Sequence, residues 1–231
     1  MVQILHIDQQ RGFAILNKPT GIDTYTFVDD MESAVLGYFR AARCEFTGQR
    51  AIDCVAAVHR LDQPTSGCLA VGINPGIRRE LSAILQSGGF QKTYLAVVHG
   101  QPPAASGHID APLTKQRINT GSFSYLRTNV DHANGKSALT EYEVLASNDE
   151  YSLLRLSPIT GRTHQLRVHC DHLGCPMVGD GQYPEFRTRS VPLHLHAAEI
   201  SIKLNSEETL RAIAPIPHYM QATLDKHGWV L

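Results

Sequence analysis

The stretch Cys54-Val55-Ala56-Ala57-Val58-His59-Arg60-Leu61-Asp62-Gln63-Pro64-Thr65-Ser66-Gly67-Cys68-Leu69-Ala70-Val71-Gly72-Ile73 sets two short apolar runs on either side of a charged turn. Runs of this length, bounded by Pro and Gly, suit buried β-strands joined as a hairpin. The spacing predicts that Asp62 sits where a strand ends. Side chains alternate along an extended segment, so Arg60 and Asp62 are expected on the same side. For an arbitrary Arg-x-Asp, the ordinary reading is a carboxylate that caps a turn through Thr65 and Ser66 and pairs with the cation beside it.

On the N-terminal side, residues 3–6 and 13–17 read as a strand pair joined through Gln9-Gln10-Arg11-Gly12, followed by a turn at Lys18-Pro19-Thr20-Gly21. Residues 32–40 have helical spacing, with Val35, Leu36 and Phe39 on one face. On the C-terminal side, Asn74 is a candidate N-cap and Pro75 a first-turn proline. Ile77, Leu81, Ile84 and Leu85 make the apolar stripe, and Gly88-Gly89 ends the helix. Residues 94–99 follow as a strand and 102–107 as a loop. The segment 111–135 is rich in Thr, Ser, Asn and Gly, with Lys115, Arg117 and Arg127 in it and Lys136 next to it. It reads as a polar loop or irregular hairpin. Residues 138–146 and 151–157 alternate as an antiparallel hairpin across Ser147-Asn148-Asp149-Glu150. A helix is expected over 163–173, closed by Gly174 and Pro176, then a strand over 193–204 and a helix over 217–227. Hairpins with interspersed helices indicate an α+β fold: a mixed, mainly antiparallel sheet flanked by helices and loops.

The 231 residues allow one large domain or two small ones, and 42% hydrophobic with 19% charged residues is enough for a sizeable core. No apolar run approaches the roughly 20 residues that span a bilayer, and residues 1–8 lack a signal-peptide pattern, so a soluble cytoplasmic protein is expected. Five cysteines (Cys44, Cys54, Cys68, Cys170, Cys175), with no Cys-x-x-Cys pair, indicate reduced thiols. A net charge of -1 argues against a protein that holds nucleic acid by bulk charge alone, so an enzyme acting on nucleic acid would need its cations concentrated. Cations do cluster locally, at Arg78 and Arg79, Lys115 and Arg117, Arg162 and Arg167, and Arg187 and Arg189. One by one, their ordinary reading is solvated surface charge.

The nine residues His59-Arg60-Leu61-Asp62-Gln63-Pro64-Thr65-Ser66-Gly67 resemble the catalytic motif of the RluA family of RNA pseudouridine synthases. Three further segments match in the family's order: Asn17-Lys18-Pro19-Thr20-Gly21, Lys92-Thr93-Tyr94-Leu95-Ala96-Val97-Val98 and Thr160-Gly161-Arg162-Thr163-His164-Gln165-Leu166-Arg167-Val168-His169. The resemblance implies a single catalytic domain over residues 1–231, beginning near Ile4 without the family's frequent S4 domain. It also implies an enzyme that turns uridine into pseudouridine. Asp62 is then the nucleophile, attacking either the ring or the ribose carbon. A carboxylate kept ionised in a partly buried site needs a cation within roughly 4 to 6 Å, and Arg167 matches the family's arginine for that role. Tyr94 matches the active-site tyrosine, whose ring would stack on the extruded base and whose hydroxyl would serve proton transfer at C5.

Arg60 is expected to fill the gap left by the flipped base or to hold a phosphate. Lys92 and Arg162 are expected to contact RNA, Leu166 to pack against the target base, and Asn17, Lys18, Pro19 and Gly21 to shape the cleft. The chain departs from the pattern where a Val-His pair commonly follows this turn; here stand Ile22-Asp23-Thr24-Tyr25. The implied substrate is tRNA or a stem-loop of large-subunit rRNA, bound by a monomer with no membrane, metal, organic cofactor or required protein partner. His169 with His172, and His194 with His196, are spaced as zinc ligands can be. No carboxylate or cysteine completes a known set, so packing and hydrogen-bond roles are expected for them. Nucleotide-binding glycine loops and the serine elbow are absent. A catalytically inactive RNA-binding protein that keeps the fold is the rival reading, against which the intact Asp62, Tyr94 and Arg167 speak.

Overall fold

The structure is a computed structural model that describes residues 2–26, 29–31, 55–121, 123–183 and 191–231. The helix expected over 32–40, and Cys44, Cys54, Arg187 and Arg189, lie outside the described residues. The chain divides into two compact units, one of Met1–Lys92 with His196–Pro217 and one of Thr93–Leu195 with His218–Leu231.

In the first unit, β1 (Gln3–Asp8) and β2 (Phe13–Lys18) form an antiparallel pair. β2 then pairs antiparallel with β4 (Ser66–Gly72), a strand whose seven residues are all buried. That suits a continuous apolar run covered on both faces. β3 (Ala56–Ala57) adds only two residues to β4. His196 and Ala197 of β11 (Leu195–Lys203) lie parallel to Ser66 and Gly67, and β12 (Thr209–Ile213) closes antiparallel on β11. The fold is therefore a mixed, mainly antiparallel sheet with few helices, as the sequence pattern indicates.

Helix α1 (Pro75–Gln86) begins as its sequence demands: Asn74 Oδ1 accepts from Ile77 N at 3.0 Å, and Pro75 occupies the first turn, where its missing N–H costs nothing. Its buried Ile77 and Leu81 join Phe13, Ile15, Ala70, Phe90, Ile200 and Ile202 in one core. Each Ile, Leu or Phe side chain among them contributes about 1.5 to 3 kcal/mol by leaving water.

In the second unit, β5 (Phe90–His99), β10 (Tyr151–Pro158), β9 (Leu139–Ser147) and β6 (Ser106–Asp110) pair in that order, all antiparallel. β6 begins inside the expected 102–107 loop. The segment expected to be a polar loop or irregular hairpin is a regular hairpin, β7 (Leu113–Thr120) and β8 (Phe123–Val130), with eight residue pairs and no register shift. Its turn is allowed by Gly121 at φ 64. The polar composition hid the strands, since among their described side chains only Leu113, paired with Val130 at the base of the hairpin, is apolar and buried.

Helix α2 spans Gln165–His172 and α3 spans His218–His227. α2 starts two residues later than its sequence suggests, because His164 takes a left-handed conformation (φ 55) just before it. Among the described residues, no helix is long and apolar enough to cross a membrane.

Gly67 marks the closest approach in the first unit. Its φ is 110, and a Cβ placed on it would lie 2.2 Å from the carbonyl oxygen of Ala197. Both the left-handed backbone and the strand contact require glycine. Gly67→Ala is expected to destabilise the protein by about 3 kcal/mol or more, summing backbone strain and overpacking, read as a lower urea midpoint at unchanged slope.

Candidate active site

Asp62 does not sit at a strand end. β3 stops at Ala57 and β4 starts at Ser66, so Arg60 and Asp62 lie in an irregular loop between them rather than on an extended strand. The loop needs no regular ladder because a neighbouring segment holds it. Thr24 Oγ1 donates to Leu61 O (2.8 Å) and accepts from Leu61 N (3.2 Å). Gly21 N donates to Gln63 O (2.8 Å), Gln63 Nε2 to Gly21 O (3.1 Å), and Thr20 Oγ1 to Pro64 O (2.7 Å). Thr65 N returns to Asp62 O at 2.9 Å. The aspartate residue itself is only half-buried.

Lys18 is the centre of this lacing. It is 0% exposed, and its ammonium donates to Pro19 O (2.9 Å), Ile22 O (2.8 Å) and Gln63 O (3.3 Å). Burial brings its pKa down to about 8, against the opposing pull of Asp23 and Asp62. One buried charge thus satisfies three backbone carbonyls around the loop.

His59 serves the same loop as a neutral ring. Its Nε2 accepts from Ala70 N at 3.1 Å, and its edge meets Phe90. Burial, reinforced by the charge of Lys92, lowers its pKa to about 3. Lys92, expected as an RNA contact, is half-buried on β5, and burial lowers its own pKa. Arg60 is exposed, with its guanidinium 5.3 Å above the ring centroid of Tyr25.

The second unit holds Tyr94, Arg162, Leu166 and Arg167. Tyr94 stands on β5 opposite Leu156 and is 8% exposed. Arg162 is exposed and donates from Nε to Ser137 O at 3.0 Å. Leu166 is buried in the first turn of α2. Arg167 is 5% exposed and gripped by Asp180 through two parallel bonds, Nε to Oδ2 and Nη2 to Oδ1, both 2.7 Å. Nη2 also reaches Gln182 Oε1 at 3.3 Å, and the guanidinium lies 4.9 Å from the Tyr183 ring centroid.

Asp180 Oδ1 accepts in turn from the N–H of Gln182 (2.9 Å) and Tyr183 (3.3 Å). The Tyr183 hydroxyl accepts from Thr128 N (3.3 Å) and meets His164 Nδ1 at 2.5 Å; burial raises its pKa. The left-handed backbone of His164 therefore coincides with a side-chain bond that holds it. Asp180, Tyr183 and His164 were not foreseen. The available signal was indirect: an arginine on the inner face of a short helix demands a carboxylate, and no local spacing says which.

The histidines spaced as zinc ligands have other partners. His169 Nδ1 meets Thr140 Oγ1 (2.9 Å) and Nε2 meets Ala111 O (3.0 Å). His194 meets Pro192 O and Thr223 Oγ1, both at 2.8 Å. His196 meets Ser66 Oγ (2.9 Å) and Ala214 O (3.4 Å). Among the described residues, no group of three or more His, Cys, Asp or Glu side chains forms a metal cage.

Two stability effects follow. Burial lowers the His196 pKa to about 4, so between pH 6.5 and 4 the unfolded chain binds a proton that the folded one refuses. Stability should fall as pH drops through that window, by up to about 1.4 kcal/mol per pH unit from this group. His196→Gln should flatten the slope of unfolding free energy against pH. Separately, Asp180→Asn strands the buried Arg167 charge and should cost about 3 to 5 kcal/mol in denaturant unfolding.

Residues 12–172 match the family described as RNA pseudouridylate synthase. An uncharacterised RNA pseudouridine synthase of Zymomonas mobilis is 35% identical over 217 residues, covering 93% of this chain and 94% of that protein. Ribosomal large subunit pseudouridine synthase D of Borreliella burgdorferi is 31% identical over 94% of this chain, which spans 66% of it. Dual-specificity RNA pseudouridine synthase RluA of Escherichia coli is 40% identical over 67% of the chain and 69% of its own length. In structure, human RNA pseudouridylate synthase domain containing 4 superimposes with a TM-score of 0.77 over 99% of this chain and 94% of its own at 22% identity, a likeness of fold. Domain containing 1 gives 0.69 at 27% identity over 93% of this chain and 83% of its own. With the motif of Asp62 inside the matched residues and the fold shared, the chain belongs to the RNA pseudouridylate synthase family, enzymes that isomerise uridine to pseudouridine in RNA.

Proposed function

We propose that this protein, acting as one monomeric cytoplasmic catalytic domain without metal or organic cofactor, isomerises specific uridines in structured RNA, either tRNA or a stem-loop of large-subunit rRNA. Asp62 is the nucleophile, Arg167 the guanidinium that serves its charge, and Tyr94 the ring that receives the extruded base. Arg60, Lys92, Arg162 and Leu166 contact the RNA. The observation that carries this reading is the loop of Asp62. It lies inside the family match, and hydrogen bonds from Lys18, Thr20, Gly21 and Thr24 anchor the backbone on both sides of a half-buried carboxylate. Catalysis by a positioned nucleophile needs that kind of rigid support.

The reaction balances without a co-reactant. Whether the carboxylate adds to the ring or to the ribose carbon, the bond between N1 and C1′ breaks, the uracil turns, C5 bonds to C1′, and the bond to the carboxylate breaks to return Asp62 to its free form. A proton then leaves C5 while N1 gains one. Base flipping costs a few kcal/mol, which stacking on an aromatic ring, worth about 1 to 3 kcal/mol, largely offsets. The names of the relatives from Borreliella burgdorferi and Escherichia coli support RNA of the large ribosomal subunit, or more than one RNA class, as the substrate.

Mapping pseudouridines in total RNA from cells with and without the gene identifies the target. On that RNA, Asp62→Asn is expected to abolish conversion while RNA affinity stays within a few-fold. A variant that still forms pseudouridine removes Asp62 from the nucleophilic role, and a wild-type protein that binds RNA but converts no uridine favours an inactive binding protein.

A further inference from the structure

We propose that Tyr25, backed by the guanidinium of Arg60, is a stacking platform for an unpaired nucleobase of the RNA beside the uridine that is converted. This rests on the reading of the chain as an RNA-modifying enzyme and adds a base-recognition residue to it.

Tyr25 is 68% exposed, whereas Tyr94, Tyr142 and Tyr183 are almost fully enclosed. One exposed aromatic ring needs no explanation by itself. Tyr25 differs in what surrounds it. The Arg60 guanidinium lies 5.3 Å from its ring centroid, so an aromatic face and a cation are presented together at the surface. Arg60 is two residues from Asp62 in the same loop. The backbone under the ring is also held: Tyr25 N donates to Asp23 Oδ1 (2.8 Å), and the neighbouring Thr24 hydroxyl is bonded twice to the backbone of Leu61. A ring held this way loses little freedom when a ligand settles on it.

The chemistry selects the occupant. RNA is read through unstacked bases laid on aromatic rings and guanidinium planes, with cations nearby for the phosphates. An aromatic ring paired with an arginine beside a candidate nucleophile offers both, and a tyrosine face accepts any base, so it positions the strand without dictating sequence.

The test uses fluorescein-labelled 12-nucleotide RNAs: oligoadenylate, and a strand of the same length made of abasic ribose phosphates. Tyr25→Ala and Tyr25→Leu are each expected to weaken oligoadenylate binding about five- to tenfold, and Tyr25→Phe to stay within about twofold of wild type. The abasic strand should bind wild type and Tyr25→Ala alike. If Leu binds as well as Phe, or if the abasic strand loses as much affinity as oligoadenylate, the platform is ruled out. Should Tyr25→Ala melt early, the Leu and Phe variants carry the comparison, since both keep the apolar bulk. On the natural RNA substrate, KM should rise for Tyr25→Ala while kcat stays within about twofold; a fall in kcat at constant KM counts against the proposal. Wild-type protein that binds RNA without converting uridine would overturn the enzymatic reading and leave the binding comparison intact as a test of Tyr25.

Discussion

The Lys18 ammonium is the constraint on which the first unit's functional loop depends. A fully enclosed cation is tolerated only where acceptors replace its water, and here three backbone carbonyls do so, from Pro19, Ile22 and Gln63. Those carbonyls come from two segments far apart in sequence, so satisfying one charge fastens the turn after β2 to the loop before β4. The burial that brings the Lys18 pKa to about 8 is the physical counterpart of that fastening. Thr20, Gly21 and Thr24 extend it along the loop, bond by bond.

A comparable solution holds Arg167 in the second unit. The bidentate pair with Asp180 fixes the guanidinium in plane and direction, and the Tyr183 ring covers it. Gly179 makes this possible: at φ 75, with a hypothetical Cβ only 2.2 Å from Pro192 O, it lets the chain turn tightly just ahead of Asp180. Tyr183 in turn bonds His164, whose left-handed backbone delays α2 by two residues. The irregularities around α2 thus trace to the placement of one cation.

The buried histidines follow a third rule. His59, His169, His194 and His196 all have lowered pKa values, with burial as the main cause. Each accepts or donates hydrogen bonds as a neutral ring, so they act as polar spacers inside the fold. In the second unit this extends into a chain from Gln165 Nε2 to Thr140 Oγ1 to His169 Nδ1, closed by His169 Nε2 on Ala111 O. A buried polar chain with every member satisfied fixes the position of α2 against β9 more narrowly than apolar packing does.

How much of this was legible beforehand depends on the range of the interaction. The α1 helix was readable from Asn74, Pro75 and its apolar stripe, and β2, β4, β9 and β10 from alternation or apolar runs, because caps and periodicity act within a few residues. The likeness of residues 59–67 to a catalytic motif was legible for the same reason. The regularity of the β7 and β8 hairpin is not legible because its strands are polar, nor is the conformation around Asp62, because its loop is held by residues 18–24 and not by its own strand pairing. Asp180 as the partner of Arg167, the buried amine of Lys18 and the Tyr25–Arg60 pair belong to tertiary structure alone. The sequence by itself determined the capped helix, the apolar and alternating strands and the family chemistry, since these are written in short contiguous patterns. Only the fold decided which distant carbonyls and carboxylates meet each buried charge, because desolvation selects partners by position in space.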